Sequence, residues 1–325
     1  MSDSARDILP SRVEEAKRHS LLVDLFIRLV KEKPLGTVGA AIVLILFVAG
    51  IFADFLAPYG MNEIHMEDTL SPPSARYILG TDSSGRDMLS RIIYGARISM
   101  TVGIVGSGFG TLIAMIIGLT SGFIGGKFDL VVQRFVDAWM CFPGLVILLT
   151  AMSIMGPGLW QVILVLGGQY GITGSRVVRG AVIGVRGNMY VEAAVAIGCS
   201  TTRTLIRHIL LNIMAPIIVL FTVYMGNVIL LEASLSFLGF GIPPPTPSWG
   251  GMLSGSARQF MLMAPWIVIW PGLALGVAVY GINMFGDAVR DILDPRLRGG
   301  TGRYGVQKTK KMKEATRKSV AAPRP

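Results

Sequence analysis

Six stretches of this chain are apolar and long enough to cross a lipid bilayer, and no other feature narrows its fold as much. A helix needs about 20 apolar residues to cover roughly 30 Å of hydrocarbon. The stretches fall at about residues 35–57, 98–123, 130–154, 159–182, 213–235 and 265–285. Composition agrees: 52% of residues are hydrophobic and 15% charged, where a soluble domain carries about 25% charged. The first run begins too far into the chain, and lacks the small-residue cleavage pattern, to be a removable signal. With only Cys141 and Cys199, a disulfide scaffold is excluded, and both read as small buried residues. The expected fold is an all-α polytopic membrane protein with six transmembrane helices.

Charge sets the orientation. A formal charge of +10 would ordinarily raise nucleic acid as a partner, but its distribution says otherwise. With the N-terminus inside and six alternating spans, 25 of the 30 Lys and Arg residues lie on the inner side. Only Arg76, Arg86, Arg91, Arg97 and Arg258 lie outside. The positive-inside rule then places both termini in the cytoplasm. Trp160, Trp249, Trp266 and Trp270 fall near outer span ends, where amphipathic rings sit at the headgroups.

Five regions follow. Residues 1–34 form a cytoplasmic arm whose Leu21, Leu22, Leu25, Phe26, Leu29 and Val30 recur at helical spacing, as in a helix lying on the inner leaflet; packing on other protein is the alternative. Residues 35–58 are the first span. Residues 59–94 are an external loop with a short helix, capped by Asp82, Ser83 or Ser84 and apolar along Met88, Leu89, Ile92 and Ile93. Residues 95–290 hold five spans, with an outer loop made irregular by Pro243, Pro244, Pro245 and Pro247. Residues 291–325 are a basic, disordered cytoplasmic tail that suits solvent or anionic lipid better than nucleic acid.

Catalytic patterns are missing. His19, His65 and His208 fall in separate loops or compartments and form no metal cluster with the cysteines. Phe128 stands after Lys127 where a phosphate-binding loop needs Ser or Thr. No catalytic residue, cofactor or metal site is expected, so uphill transport would draw energy from another subunit or an ion gradient. Gly106 and Gly110, Gly118 and Gly122, and Gly272 and Gly276 have the spacing that lets helices approach closely in lipid. Asp137 and Glu232 are costly inside spans and are candidates to line a polar translocation path. Asp137 can instead pair with Arg134, and Glu232 can bond neighbouring backbone.

The inner loop at about 186–212 is too polar to span and too patterned for a slack linker. Glu192, Ala193 and Ala194 begin a helix, Gly198 stops it, and Ser200, Thr201 or Thr202 caps a second helix running towards the fifth span. Small residues would let another protein approach, with Glu192, Arg203 and Arg207 as polar anchors; an interfacial connector is the alternative.

This loop resembles the EAA motif of binding-protein-dependent ABC importer permeases, carried here by Glu192, Ala193, Ala194, Gly198 and Pro216. LGTDSSGRDMLSRIIYGARIS from Leu79, EASLSFLGFGIPPPTPSWGGML from Glu232 and GDAVRDILDPRLR from Gly286 are similar to the second permease subunit of the dipeptide, oligopeptide and nickel branch. The resemblance implies a type I importer permease fold in a bacterial or archaeal plasma membrane. It also implies a homologous permease partner, cytoplasmic ATP-binding subunits and an external solute-binding protein. Glu192, Ala193, Ala194 and Gly198 would then contact the ATPase, with Arg203 and Arg207 nearby. Peptides are the expected cargo, with nickel chelates or another small solute as the alternative; an ion-coupled carrier is the reading from a different class. Leu211 stands where the family often has Pro, which predicts a smoother second helix.

Overall fold

The computed structural model describes residues 29–293, and every described element of regular structure is helical. We name eight helices: α1 (Pro34–Ile51), α2 (Met88–Ile124), α3 (Gly126–Met140), α4 (Gly144–Met155), α5 (Leu159–Arg186), α6 (Met189–Ala196), α7 (Thr201–Phe237) and α8 (Trp266–Leu293). The amphipathic stretch expected before Leu29 and the basic tail after 293 lie outside the described residues.

Four of these helices, α1, α2, α7 and α8, are long and apolar enough to cross a membrane unaided. The third stretch is not the straight span expected at 130–154. It is α3 and α4, which pass the same test only together and are bent by 89°. Pro143 at the N-cap of α4 accounts for the break, since it offers no N–H and clashes with the preceding turn. Helix α5 is long but carries Arg176, Arg179, Gln161 and Gln169 among its apolar residues. Packing compensates for that polarity, because α5 lies along the second half of α2, from Val102 to Ile124.

The α2–α5 contact is made by glycine. A Cβ on Gly118 would stand 2.7 Å from the Ser175 carbonyl oxygen, and one on Gly110 would stand 3.1 Å from that of Gly167. Gly122 faces α5 in the same way, at Val182, whereas a Cβ on Gly106 would meet Val228 of α7 at 3.1 Å. Gly276, with identical spacing to Gly272, meets nothing within 4 Å, so one motif packs inside this chain and the other does not. Between Thr101 and Ser107 the helix widens into a π-turn, Val102–Gly106, beside Met225 and Ile229 of α7.

The order of packing gives the bundle two ends. Gly36 and Gly39 of α1 meet Ala288 and Gly281 of α8, while Gly50 meets Arg97 of α2. Lys33 pairs with Asp291 at 2.5 Å, so the two ends of the described chain lie together. At that same end Arg186, closing α5, donates to the Gly122 carbonyl oxygen near the end of α2 at 2.9 Å. We call this the elbow end; the starts of α2 and α8 and the end of α7 lie at the far end.

Two expectations about the far end change. Asp87, not Asp82, Ser83 or Ser84, caps the helix there, accepting from the Ser90 backbone N–H at 2.8 Å. That helix is no separate short element but the first part of α2. Trp249 is not an interfacial ring either: it is 0% exposed, and its indole N–H donates to the Ile92 carbonyl oxygen at 3.1 Å. Gly95 makes room for it on α2.

Candidate functional site

The elbow joins α5 to α7. Helix α6 turns its Val191 and Ala194 inward, where Val191 joins a core with Val178, Val182, Ile209 and Ile213. The opposite face is open. Glu192 and Ala193 are exposed, flanked by Met189 at 86% and Ile197 at 81% exposure, with Tyr190 and Val195 also exposed. Of the two expected docking alanines, therefore, Ala193 faces out and Ala194 anchors the elbow from within. Gly198 follows with φ of 85° and nothing within 4 Å of a built Cβ. Its requirement is conformational, since the left-handed region costs other residues about 1–2 kcal/mol. Ser200 then caps the next helix, accepting from the Arg203 N–H at 3.4 Å. Arg203 and Arg207 are exposed on the outer side of that turn.

The base of α7 does not run smoothly, contrary to the expectation drawn from Leu211. Thr204–Ile209 winds as a π-turn and Leu210–Ile213 as a tightened 3₁₀ turn before the regular helix from Met214. Pro216 supplies a reason: it has no N–H for the carbonyl one turn earlier, so that turn reorganises. The Asn212 side-chain amide donates to the His208 carbonyl oxygen at 2.6 Å, serving the disturbed backbone.

Asp137 and Glu232 are not brought together. Asp137 faces Arg176 of α5 in a close ion pair and lies 3.8 Å from Arg134. About two turns nearer the start of α3, Asp129 is held by Arg179, whose Nε donates at 2.6 Å, and Ser121 of α2 donates to the same carboxylate. The two pairs line an open groove between α3 and α5. Sequence spacing pointed to Arg134 as the partner of Asp137; the cross-helix Arg176 was hidden because it depends on how α3 folds back. Glu232 is 0% exposed near the far end of α7 and accepts from the Ser236 hydroxyl at 2.7 Å. Its bond is thus to a side chain, not to neighbouring backbone, with Ser99 and Ser248 close by.

Long apolar helices, a polar α5 sheltered by α2, and loops concentrated at two ends define a multi-pass helical membrane protein. Residues 90–299 match the family described as binding-protein-dependent transport system inner membrane component, and residues 20–73 match the N-terminal TM domain of oligopeptide transport permease C. The chain belongs to the first of these families and is a permease subunit of an ABC importer. It is 37% identical over 268 residues to the dipeptide transport system permease protein DppC of Alkalihalophilus pseudofirmus, covering 82% of this chain and 88% of that one. Against the glutathione transport system permease protein GsiD of Escherichia coli the identity is 36% over 275 residues, covering 84% and 90%. A chain of the MetNI methionine ABC transporter in an inward-facing conformation shares the fold, with TM-score 0.52 and 17% identity over 64% of this chain and 98% of that one.

Proposed function

We propose that this chain translocates dipeptides or oligopeptides delivered by an external solute-binding protein, in partnership with a homologous permease and cytoplasmic ATP-binding subunits. The relatives named for dipeptide and glutathione transport support the cargo class. The observation that carries the mechanism is the elbow: a two-turn helix pinned by Val191 and Ala194 that leaves Met189, Tyr190, Glu192, Ala193 and Ile197 exposed. An apolar patch around one carboxylate suits a protein partner better than water. In this reading Glu192, Ala193 and Gly198, with Arg203 and Arg207 beside them, form the ATPase-contacting surface, and Ala194 sets its angle. ATPase closure moves the elbow, and the bundle rocks between inward- and outward-facing states as rigid bodies.

The orientation that goes with this reading puts the elbow and both termini in the cytoplasm, with the protein in the plasma (inner) membrane. Six spans result when the bent α3–α4 pair counts as one and α5 as another, the polarity of α5 being carried by its packing on α2. The open groove beside Asp137 suits a polar path, whereas Glu232, sealed at 0% exposure, suits fastening of α7 to the outer loop.

The test is peptide uptake by the assembled importer carrying Glu192→Ala. Uptake is lost while the chain still inserts and its partners are present. Uptake at the wild-type rate in that variant would refute the coupling role.

A further inference from the structure

The far end of the bundle holds a cavity of about 240 Å³, lined by Asp82, Arg86 and Arg91 on one side and by Pro243, Pro244 and Thr246 on another. Its charges do not balance. Arg86 Nε donates to Asp82 Oδ2 at 2.8 Å, and Arg91 Nε lies 3.6 Å from the same oxygen. The other oxygen, Oδ1, already accepts from the Ser84 and Arg86 backbone N–H groups at 2.8 and 3.0 Å. The nearby Asp87 is occupied by Ser90, whose N–H and hydroxyl donate at 2.8 and 2.7 Å, and it does not line the cavity. One carboxylate therefore serves two guanidiniums, and the lining keeps one positive charge in excess.

Arg91 is the less satisfied of the two. It is only 7% exposed. Its Nη1 makes long bonds to the Met61 and Pro245 carbonyl oxygens, at 3.5 and 3.4 Å, and its Nη2 donates to no group among the described residues. A buried guanidinium with idle donors is costly, and a planar carboxylate is the group that best matches it. The volume fixes the size of the guest. At about 240 Å³ the cavity is smaller than the roughly 300–1,000 Å³ of sites that enclose a whole small ligand, so it accepts an end group or one side chain.

We infer that this cavity is a carboxylate site, filled either by the free C-terminus of a peptide or by an acidic side chain of the external binding protein. The inference rests on the importer reading, and it assigns Arg91 and Arg86 as the recognising residues and Asp82 as the group that tempers their charge.

The test uses the full chain assembled with its partner permease and ATPases in nanodiscs, and measures equilibrium binding of dialanine, of dialanine amide and of the binding protein. Arg91→Gln and Arg86→Gln each weaken the carboxylate-bearing partner by about tenfold, the loss expected for one charge-assisted hydrogen bond. If the guest is the peptide terminus, dialanine binding falls and the amide is unaffected; if it is a protein side chain, binding-protein affinity falls and becomes less salt-dependent. Asp82→Asn keeps the Oδ1 acceptor but removes the tempering charge, so it strengthens whichever binding the arginine variants weaken. A residue that merely held the loops together would not produce that gain, and Arg91→Lys restores part of the affinity. Unchanged binding of dialanine and of the binding protein in all of these variants overturns the site. Absence of peptide uptake by the wild-type assembly sinks the importer reading instead, so the two failures are distinguishable.

Discussion

Gly118→Ala adds one methyl group to the α2–α5 contact, and its outcome can be worked from three distances. The new Cβ would stand 2.7 Å from the Ser175 carbonyl oxygen, 2.7 Å from Val178 Cβ and 2.9 Å from the Arg179 backbone nitrogen. All three are closer than a carbon tolerates, and two belong to backbone, so no side chain can rotate away. Relief requires α5 to shift off α2, which loosens the neighbouring contacts of Gly110 and Gly122. Overpacking of this kind costs about 1–3 kcal/mol or more, against a gain of about 1 kcal/mol for replacing a helical glycine by alanine. The net expectation is a loss of up to about 2 kcal/mol. Gly276→Ala has the same chemistry at the same motif spacing, but nothing lies within 4 Å of its Cβ, so only the favourable propensity term remains. Thermal unfolding of the two purified variants in one detergent, followed by tryptophan fluorescence, compares them directly. Gly118→Ala unfolds a few degrees below wild type, and Gly276→Ala at or above it. A Gly118→Ala protein as stable as Gly276→Ala would refute the claim that glycine sets the α2–α5 distance.

Two other substitutions probe the ends of the bundle. Gly198→Ala forces a side chain onto φ of 85° with empty space around it, so the cost is about 1–2 kcal/mol of local backbone strain; limited proteolysis cuts faster at the elbow while the unfolding midpoint of the bundle barely moves. Trp249→Ala empties a fully buried site and removes the indole bond to the Ile92 carbonyl oxygen; a loss of about 3–5 kcal/mol appears as a clear drop in thermal midpoint, with Trp249→Phe intermediate because it keeps most of the volume while losing the hydrogen bond.

The long apolar helices were legible because lipid admits so few solutions: a run of about 20 apolar residues has little else to become. The elbow was legible for a local reason. Helix former, glycine and capping serine occur in order within a dozen residues, and each acts on its immediate neighbours. What stayed hidden depended on distant parts of the chain. The third stretch reads in sequence as one span at 130–154, straight through Pro143 where the chain bends by 89°, and nothing local states that α3 will fold back to place Asp137 against Arg176. Trp249 looks like an interfacial ring until Gly95, over 150 positions earlier, is seen to leave it a slot. Leu211 misled for the opposite reason: losing one proline suggested a smooth helix, yet Pro216 disturbs the turn by itself.

Helix α7 has contacts at both ends that make it the natural lever of the proposed coupling. From Ser200 to Ser236 it rises roughly 55 Å at 1.5 Å per residue, joining the elbow to the buried Glu232–Ser236 pair beside the proline loop at the far end. A lever works only if it does not bend where it is pushed, and the π and 3₁₀ turns at its base are the places where a helix would give. Three features stiffen them: Ile209 and Ile213 are buried in the same core as Val191 of the elbow, Thr204 is fully buried, and the Asn212 amide ties back to the His208 carbonyl oxygen. Asn212→Ala therefore separates two accounts of the coupling. If the base transmits force as a rigid elbow, losing that tie lowers peptide uptake more than it lowers ATP hydrolysis by the assembled importer. An equal fall in both, or in neither, would mean that motion reaches the bundle by some route other than the base of α7.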